Sequence, residues 1–171
     1  TRLEFRRVLF RSLFIDSHNQ MWAGITEGGV YRVSPNYNDK DVIGVTFTSI
    51  TKYRDLSDDP YKYPNSITED MKGNIWVSYY FYGIDKFEST GNGKFEIVHY
   101  AYEYNDPSSI SSNSIRSIYV SKNNVLWVGD DGYGINKTQL KEKFSVYRFN
   151  PLDSTSLRSK SIRAVYETPD G

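Results

Sequence analysis

The 171-residue chain is long enough for one ordinary domain, and its 38% hydrophobic and 16% aromatic residues can build a packed core. Lysine and arginine equal aspartate and glutamate at 21 each, so the chain lacks the basic excess of a nucleic-acid-binding or membrane-surface protein. It has no cysteine, which excludes disulfides and thiolate metal sites, and no apolar run approaches the roughly 20 residues of a membrane span.

The first twelve residues, "TRLEFRRVLFRS", differ from the rest of the chain. They contain four arginines against one acid, Glu4, and have no counterpart in the repeats that follow. They resemble translated sequencing-adapter read-through and lack the continuous apolar centre and cleavage site of a secretory signal. We therefore predict that residues 1–12 are a non-native prefix, with a basic targeting stretch as the alternative.

Three similar segments follow, each centred on a tryptophan: "LFIDSHNQMWAGITEGGVYRV", "ITEDMKGNIWVSYYFYGIDKF" and "IYVSKNNVLWVGDDGYGINKT". In each segment an apolar residue stands nine positions before the tryptophan, and a glycine stands seven positions after it. A fourth copy starts at "SIRAVYETPDG". The tryptophans are Trp22, Trp76 and Trp127, and the glycines are Gly29, Gly83 and Gly134. A repeat of this length is typical of propellers and arrays.

Each copy predicts four short β-strands. In the third copy "SIRSIYV" is the first strand, "VLWVG" follows a polar turn, "GINKT" is the third strand and "KFSVYRF" the fourth. No window has a helical period. The predicted fold is therefore all-β, a partial β-propeller of about three four-stranded antiparallel blades plus the first strand of a fourth. With their linkers, the blades are placed at residues 13–66, 67–114 and 115–161, and the fourth blade begins at 162–171.

The motifs "I-x-x-I-x-x-D", "[LI]-W-V-G" and "G-[IL]-[ND]-[KR]", with linkers such as "NDPSSISSNSI", resemble the two-component regulator propeller repeat over residues 13–171. Where that pattern has Gly-Thr, this chain has Gly24-Ile25, Ser78-Tyr79 and Gly129-Asp130. The resemblance implies the periplasmic sensing region of an inner-membrane histidine kinase, often a hybrid sensor, that acts through phosphorelay.

The resemblance also implies the partners of the chain. They are an oligosaccharide ligand, the remaining propeller blades and a second copy of the full-length sensor in a homodimer. The balanced charge predicts no contact of this part with nucleic acid, the lack of a long apolar run predicts no membrane span within it, and no motif predicts a cofactor. We expect no enzyme activity from the chain itself.

In an antiparallel meander, the loops after second strands and the linkers after fourth strands emerge at the same end. We call this end the loop face; it comprises residues 25–28, 79–82 and 130–133 with linkers 105–114 and 150–161. Only the second loop is all aromatic, so the repeat does not require rings there. Flat rings suit the apolar face of a pyranose, and carboxylates suit its hydroxyls. The predicted ligand contacts are Tyr79, Tyr80, Phe81, Tyr82, Tyr133, Glu27, Asp130 and Asp131. The alternative is that the rings pack on a neighbouring blade and the acids are merely solvated.

The residues that recur in every copy are predicted to be structural. Trp22, Trp76 and Trp127 are expected in the repeat core, and Gly29, Gly83 and Gly134 in turns or bulges that need a positive φ. The recurring base at Arg32, Lys86 and Lys137 is expected to pair with an acid of a neighbouring blade.

Enzyme chemistry finds little support in the sequence. His18 and His99 are the two histidines and fall in separate elements, which predicts no metal site and no histidine-based triad. "TEDMKGNIW" resembles the Asp-box turn of sialidase-like propellers, but its Asp70 is replaced by Ser121 in the third copy. A glycan-cleaving propeller, which needs two opposed carboxylates, is therefore the second hypothesis. A propeller that serves only as a protein interaction scaffold is the third.

Overall fold

The structure is a computed structural model that describes residues 9–26, 29–39, 41–50, 62–140, 145–166 and 168. The described residues form twelve strands in three four-stranded antiparallel sheets. Blade 1 contains β1 (Phe10–Ile15), β2 (Met21–Ile25), β3 (Gly29–Asn38) and β4 (Asp41–Ser49). Blade 2 contains β5 (Tyr63–Glu69), β6 (Ile75–Tyr80), β7 (Gly83–Gly91) and β8 (Lys94–Tyr100). Blade 3 contains β9 (Ile115–Val120), β10 (Val125–Asp130), β11 (Ile135–Gln139) and β12 (Ser145–Tyr147).

Every sheet is a simple meander in which each strand pairs with the next one along the chain. The predicted all-β propeller fold is confirmed. β1 begins at Phe10, ahead of the predicted start of blade 1, while most of the predicted prefix lies outside the described residues. None of the described residues belongs to a helix that could cross a membrane.

The fourth copy begins beside blade 3. Ser161 forms an antiparallel bridge with Asp131, and the amide of Ile162 donates a hydrogen bond to the carbonyl of Asp130 at 3.2 Å. The Ile162 side chain lies against Gly129 in the way that Pro64, at the start of β5, lies against a glycine of blade 1. Ile162 therefore takes the place beside blade 3 that Pro64 takes beside blade 1.

The turn between the first and second strands is held by a carboxylate. Asp70 Oδ1 accepts hydrogen bonds from the amides of Lys72 and Asn74 at 2.9 and 3.0 Å, and Oδ2 accepts one from Trp76 Nε1 at 2.9 Å. Asp16 makes the same bond to Trp22 Nε1 at 2.8 Å. The aspartate of the Asp-box-like turn is thus used to fix the turn and the tryptophan.

The core lies between the blades. Trp22 and Trp76 are 2% and 3% exposed because each is covered by the blade that follows its own. Trp127 is only half-buried, since among the described residues no sheet lies against that side of blade 3. The reverse holds for the first strands: Ile67 packs on blade 1 and is 7% exposed, while its equivalent Leu13 is 63% exposed.

Among the described residues, Lys86 and Lys137 do not form the predicted ion pair with an acid of a neighbouring blade. Lys86 Nζ lies 5.6 Å from the ring centre of Trp76, and Lys137 Nζ lies 5.2 Å from that of Trp127. The reason is the strand register, which places each base directly opposite the tryptophan of its own blade. Lys86 also forms an ion pair at 2.7 Å with Glu88 of its own strand.

The recurring glycine has a positive φ; it is the first residue of β3 and β7 and directly precedes β11. The value is 97° at Gly83 and 117° at Gly134. A Cβ atom at Gly83 would lie 2.3 Å from the carbonyl oxygen of Tyr100, and one at Gly134 would lie 2.2 Å from that of Tyr147. Because glycine has no Cβ, the end of the fourth strand can pack directly against the start of the third strand of the same blade.

Candidate functional site on the loop face

The loops after the second strands and the linkers meet at one end of the blades, as the meander requires. Tyr80 Oη donates a hydrogen bond to Asp131 Oδ2 at 3.1 Å, which joins the second loop to the third. The amide of Gly83 donates to the carbonyl of Asn113 at 2.9 Å, which joins the second loop to the linker that follows blade 2. The loop face is therefore a continuous surface.

The four consecutive aromatic residues have different environments. Tyr79 is fully buried in the core between blades 1 and 2, so the predicted ligand contact at this residue does not fit its position. Phe81 stands at the tip of the loop with a φ of 74° and is 50% exposed. Tyr80 and Tyr82 are partly buried; the Tyr80 ring lies 4.1 Å from that of Phe81, and the Tyr82 ring lies 4.3 Å from that of His99. The accessible aromatic surface of this loop is therefore Phe81 together with the exposed parts of Tyr80 and Tyr82.

Asp130 is a structural residue in this arrangement. Its carboxylate is fully buried, and Oδ1 accepts hydrogen bonds from the amides of Tyr133 and Gly134 at 2.7 Å each. Oδ2 accepts from Ser111 Oγ and from Asn136 Nδ2. These bonds close the loop and attach the linker to blade 3, so the predicted contact of Asp130 with a ligand does not fit either. Glu27 lies outside the described residues.

Asp131 is partly exposed and is held by three neighbours. Arg116 Nη2 lies 2.7 Å from Asp131 Oδ2, Tyr80 Oη donates to the same oxygen, and Ser161 Oγ donates to Oδ1 at 3.1 Å. The hydrogen bond from Arg116 holds the pKa of Asp131 below its ordinary value, and it raises the pKa of Arg116. The guanidinium also lies 4.7 Å from the Tyr80 ring centre. Asp131 is therefore ionised near neutrality, with its charge balanced.

A pocket of about 500 Å³ opens on the loop face beside blade 3. It lies between the linker that follows blade 2, the β10–β11 loop and the linker that follows blade 3. Two tyrosines at its edge, Tyr102 and Tyr133, are 43% and 58% exposed. The lining residues are Tyr102, Ser111, Ser112, Asn113, Gly132, Tyr133, Arg148, Phe149 and Lys160. Of the predicted contacts that the structure describes, only Tyr133 lines this pocket.

The two linkers that border the pocket share one hydrogen-bond pattern. Ser109 Oγ accepts from the amide of Glu103 at 3.0 Å, and Ser156 Oγ accepts from the amide of Asn150 at 2.9 Å. Asp153 Oδ1 accepts from the amide of Thr155, as Asp106 does from that of Ser108. Each linker is thus a folded loop with internal bonds, so the pocket has fixed walls.

A second group of polar residues lies at the opposite end, in the turn after β1. Asp16, His18 and Glu69 each have one atom that could coordinate a metal ion, and these atoms lie within 4.8 Å of one another. The sequence does not predict this group because Glu69 belongs to the next blade. The Asp16 oxygens already accept from the amides of His18 and Gln20 and from Trp22, and Glu69 accepts from the amide and hydroxyl of Ser17. The group joins blade 1 to blade 2.

Fold and site together define the chain as part of a β-propeller whose loops and linkers form a concave surface. Residues 109–132 match the family model described as "Two component regulator propeller". This segment covers the end of a linker, β9 and β10 with the third tryptophan. The resemblance predicted from the repeats is confirmed for this segment, residues 109–132.

Several solved structures share the fold. The extracellular domain of BT3049 from B. thetaiotaomicron, assigned as a hybrid two component system, is 22% identical with a TM-score of 0.56, over 91% of this chain and 17% of that one. PorZ, an essential surface component of the type-IX secretion system of Porphyromonas gingivalis, is 17% identical with a TM-score of 0.64, over 91% and 23%. The extracellular domain of BT4673 from B. thetaiotaomicron, assigned as a one component system, is 13% identical with a TM-score of 0.54, over 99% and 27%.

The chain thus spans between 17% and 27% of the length of these structures. At these sequence identities, the similarity to the solved structures supports a shared fold. Among curated proteins no significant match is found.

Proposed function

We propose that this chain is part of the periplasmic ligand-sensing propeller of a two-component sensor histidine kinase, and that its loop face binds an oligosaccharide. The observation that carries the proposal is the pocket on the loop face, directly beside the segment that matches the regulator propeller family. The extracellular origin of two structures with the same fold supports a location outside the cytoplasm.

The composition of the loop face suits a sugar. Small-molecule sites are typically about 300–1,000 Å³ and combine apolar walls with a few polar groups. The pocket of about 500 Å³ offers the rings of Tyr102 and Tyr133 for the C–H face of a pyranose. Ser112 and Asn113 also line the pocket. Their side-chain oxygens accept from the amides of Ser114 and Tyr102, so they can serve the sugar hydroxyls as donors, through the Ser112 O–H and Asn113 Nδ2. Phe81 extends the apolar surface toward blade 2.

The proposed contacts change accordingly. Tyr80, Phe81, Tyr82, Asp131 and Tyr133 remain in the set, and Glu27 remains a prediction. Tyr79 and Asp130 leave it because both are buried. The new members are Tyr102, Arg148 and Lys160.

The proposed mechanism is a shift of populations in a homodimer of the full-length sensor. A ligand on the loop face contacts the β10–β11 loop together with the linkers on both sides of blade 3. It can favour one arrangement of the two sensor chains only through its differential affinity for the two arrangements. That bias would pass through the membrane to the kinase domains and then, by phosphorelay, to transcription.

The test uses the complete extracytoplasmic region on a glycan array, followed by calorimetry with the best saccharide. The double variant Phe81→Ala/Tyr133→Ala should bind about tenfold or more weakly, because truncating an aromatic anchor often costs above about 1 kcal/mol. The control is Tyr37→Ala, which removes a ring that is 62% exposed in β3 near the opposite end. Equal binding by the double variant and the parent would show that these rings do not contact the ligand, and a parent that binds no glycan would end the proposal.

The glycan-cleaving hypothesis has less support from the described residues. The turn aspartates Asp16 and Asp70 are used to hold backbone amides and tryptophans. Asp131 on the loop face is paired with Arg116, and the hydrogen bond from Arg116 lowers its pKa, whereas a general acid needs a raised pKa.

A further inference from the structure

The pocket on the loop face has a one-sided charge. Arg148 and Lys160 line it, and none of its described lining residues is an aspartate or glutamate. Both cations are exposed, and neither forms an ion pair with a carboxylate of the described residues. Asp131 stands nearby in the same loop, but its charge is balanced by Arg116. The cavity therefore presents two positive side chains, neither of them in an ion pair with a described carboxylate.

Acids do lie close to one of the two cations. Glu103 and Asp106 line a smaller cavity of about 240 Å³ that shares Tyr102, Ser111 and Arg148 with the larger pocket. Asp106 Oδ1 already accepts hydrogen bonds from the amide and hydroxyl of Ser108. Neither acid lines the larger pocket, so the positive character there comes from both Arg148 and Lys160.

The repeat itself shows that the fold does not require these charges. Counting from the matching serines Ser109 and Ser156, Arg148 corresponds to Ala101 and Lys160 to Asn113. The backbone at the first pair is alike, since Gly83 abuts the Cα atom of Ala101 as Gly134 abuts that of Arg148. Asn113 even has a structural role, because its Oδ1 accepts from the amide of Tyr102 at 2.7 Å, which a lysine cannot do.

We propose that this pocket binds a sugar residue that carries an anionic group, a carboxylate or a sulfate, with the anion at Arg148 and Lys160 and the ring against Tyr102 and Tyr133. The guanidinium and ammonium groups supply charge-assisted hydrogen bonds to such an anion. The two tyrosines supply the apolar contact that a sugar ring needs. This inference rests on the proposed oligosaccharide function and names the class of saccharide.

The experiment is calorimetry of the complete extracytoplasmic region with three tetrasaccharides of matched length: one containing hexuronates, one sulfated and one neutral. The test variant is Arg148→Ala/Lys160→Ala. The matched control is Lys72→Ala/Lys94→Ala, which removes two exposed lysines at the opposite end, one from the β5–β6 turn and one from the start of β8. A charge-conserving variant, Arg148→Lys/Lys160→Arg, shows whether charge or local packing is responsible.

The expected result is that an anionic tetrasaccharide binds the parent more tightly than the neutral one. Removing both cations should weaken that binding about tenfold or more, because each charged hydrogen bond lost is worth a factor of that order. The salt dependence of the affinity should fall as well. The control should bind like the parent, and the charge-conserving variant should retain most of the affinity. The hexuronate and sulfate arms then identify which anion is preferred.

Two other outcomes would overturn the inference and differ from each other. If the neutral tetrasaccharide binds as well as the anionic ones and Arg148→Ala/Lys160→Ala leaves all affinities unchanged, the anionic class is wrong while oligosaccharide sensing stands. If the parent binds none of the three tetrasaccharides and no other glycan, both the anionic-sugar inference and the proposed oligosaccharide-sensing function fail.

Discussion

Asp70 provides a direct test of how each blade is held together. Its side chain is buried, and it accepts hydrogen bonds from the amides of Lys72 and Asn74, from Asn74 Nδ2 and from Trp76 Nε1, all between 2.9 and 3.0 Å. Asp70→Ala removes all four. The backbone amides of the turn can then donate hydrogen bonds to water because Lys72 is exposed. The indole N–H of Trp76 cannot, because that residue is only 3% exposed.

The expected loss follows from these environments. A buried donor left without an acceptor costs about 1–3 kcal/mol, and each of the hydrated turn bonds costs less. We therefore expect Asp70→Ala to lower the free energy of unfolding by about 2–4 kcal/mol, a large share of the roughly 5–15 kcal/mol of a typical domain. Asp70→Ser should lie between it and the parent, because blade 3 already has Ser121 at this position, with its hydroxyl accepting from the amide of Val125 at 3.3 Å.

The assay is urea unfolding of the complete propeller followed by tryptophan fluorescence, with a double-mutant cycle that includes Trp76→Phe. In the Trp76→Phe background, Asp70→Ala should lower the free energy of unfolding by less, and the difference is the contribution of the hydrogen bond between Asp70 and the Trp76 indole. A loss below about 0.5 kcal/mol for Asp70→Ala, or an equal loss in both backgrounds, would refute the role given to this carboxylate. Saccharide binding should not change, because the turn lies at the end opposite the loop face.

Two further predictions concern the loop face. Gly83→Ala should lower the free energy of unfolding by several kcal/mol, whereas Gly91→Ala should lower it by about 1 kcal/mol. Both glycines have a positive φ, but only a Cβ at Gly83 would meet backbone, 2.3 Å from the carbonyl oxygen of Tyr100. Equal unfolding midpoints for the two variants would contradict this. Because folding lowers the pKa of Asp131 from 3.8, its contribution to stability is present above that pH and is lost as the pH falls further. Stability curves of the parent and Asp131→Asn should therefore differ near neutrality and converge in acid, and a constant gap would show that the carboxylate charge is irrelevant.

The blade architecture could be predicted because the tryptophan spacing reflects a physical requirement. A blade is buried on both faces, so the same positions must be apolar in each copy, as Ile67 and Ile118 are. The first-strand position is exposed only at Leu13, where the described residues contain no covering sheet. Periodicity reports this requirement without any knowledge of contacts.

Tyr79 and Asp130 are buried, whereas the sequence predicts them as ligand contacts, and the difference has a specific cause. Ile25, Tyr79 and Asp130 occupy one repeat position, three residues after the tryptophan, and all three are buried. The sequence argument assumed that a structural position keeps its residue type. Burial is set by the backbone, however, and an apolar side chain or a carboxylate with all its hydrogen bonds satisfied can fill the same space.

The pocket could not be predicted because it forms between segments that are distant in sequence. Tyr102 and Lys160 come from different linkers, and Arg148 follows a fourth strand whose alternating pattern reports only a half-exposed edge. Arg116 was missed for a related reason, since its partners Asp131 and Tyr80 belong to two different blades. Such contacts depend on how the blades are placed side by side.

The position of the pocket has a consequence for how a ligand could act. Phe149 and Lys160 belong to the linker that connects blade 3 to the segment beginning at Ile162, and that segment rests on Gly129 of β10. A ligand that contacts this linker and Tyr133 at once bridges blade 3 and the entry to the next blade. Its binding energy therefore favours the docked arrangement of the two blades over any arrangement in which they separate. Under the proposed function, a ligand bound here would bias the two arrangements of the sensor chains only to the extent that those arrangements differ in the docking of these blades.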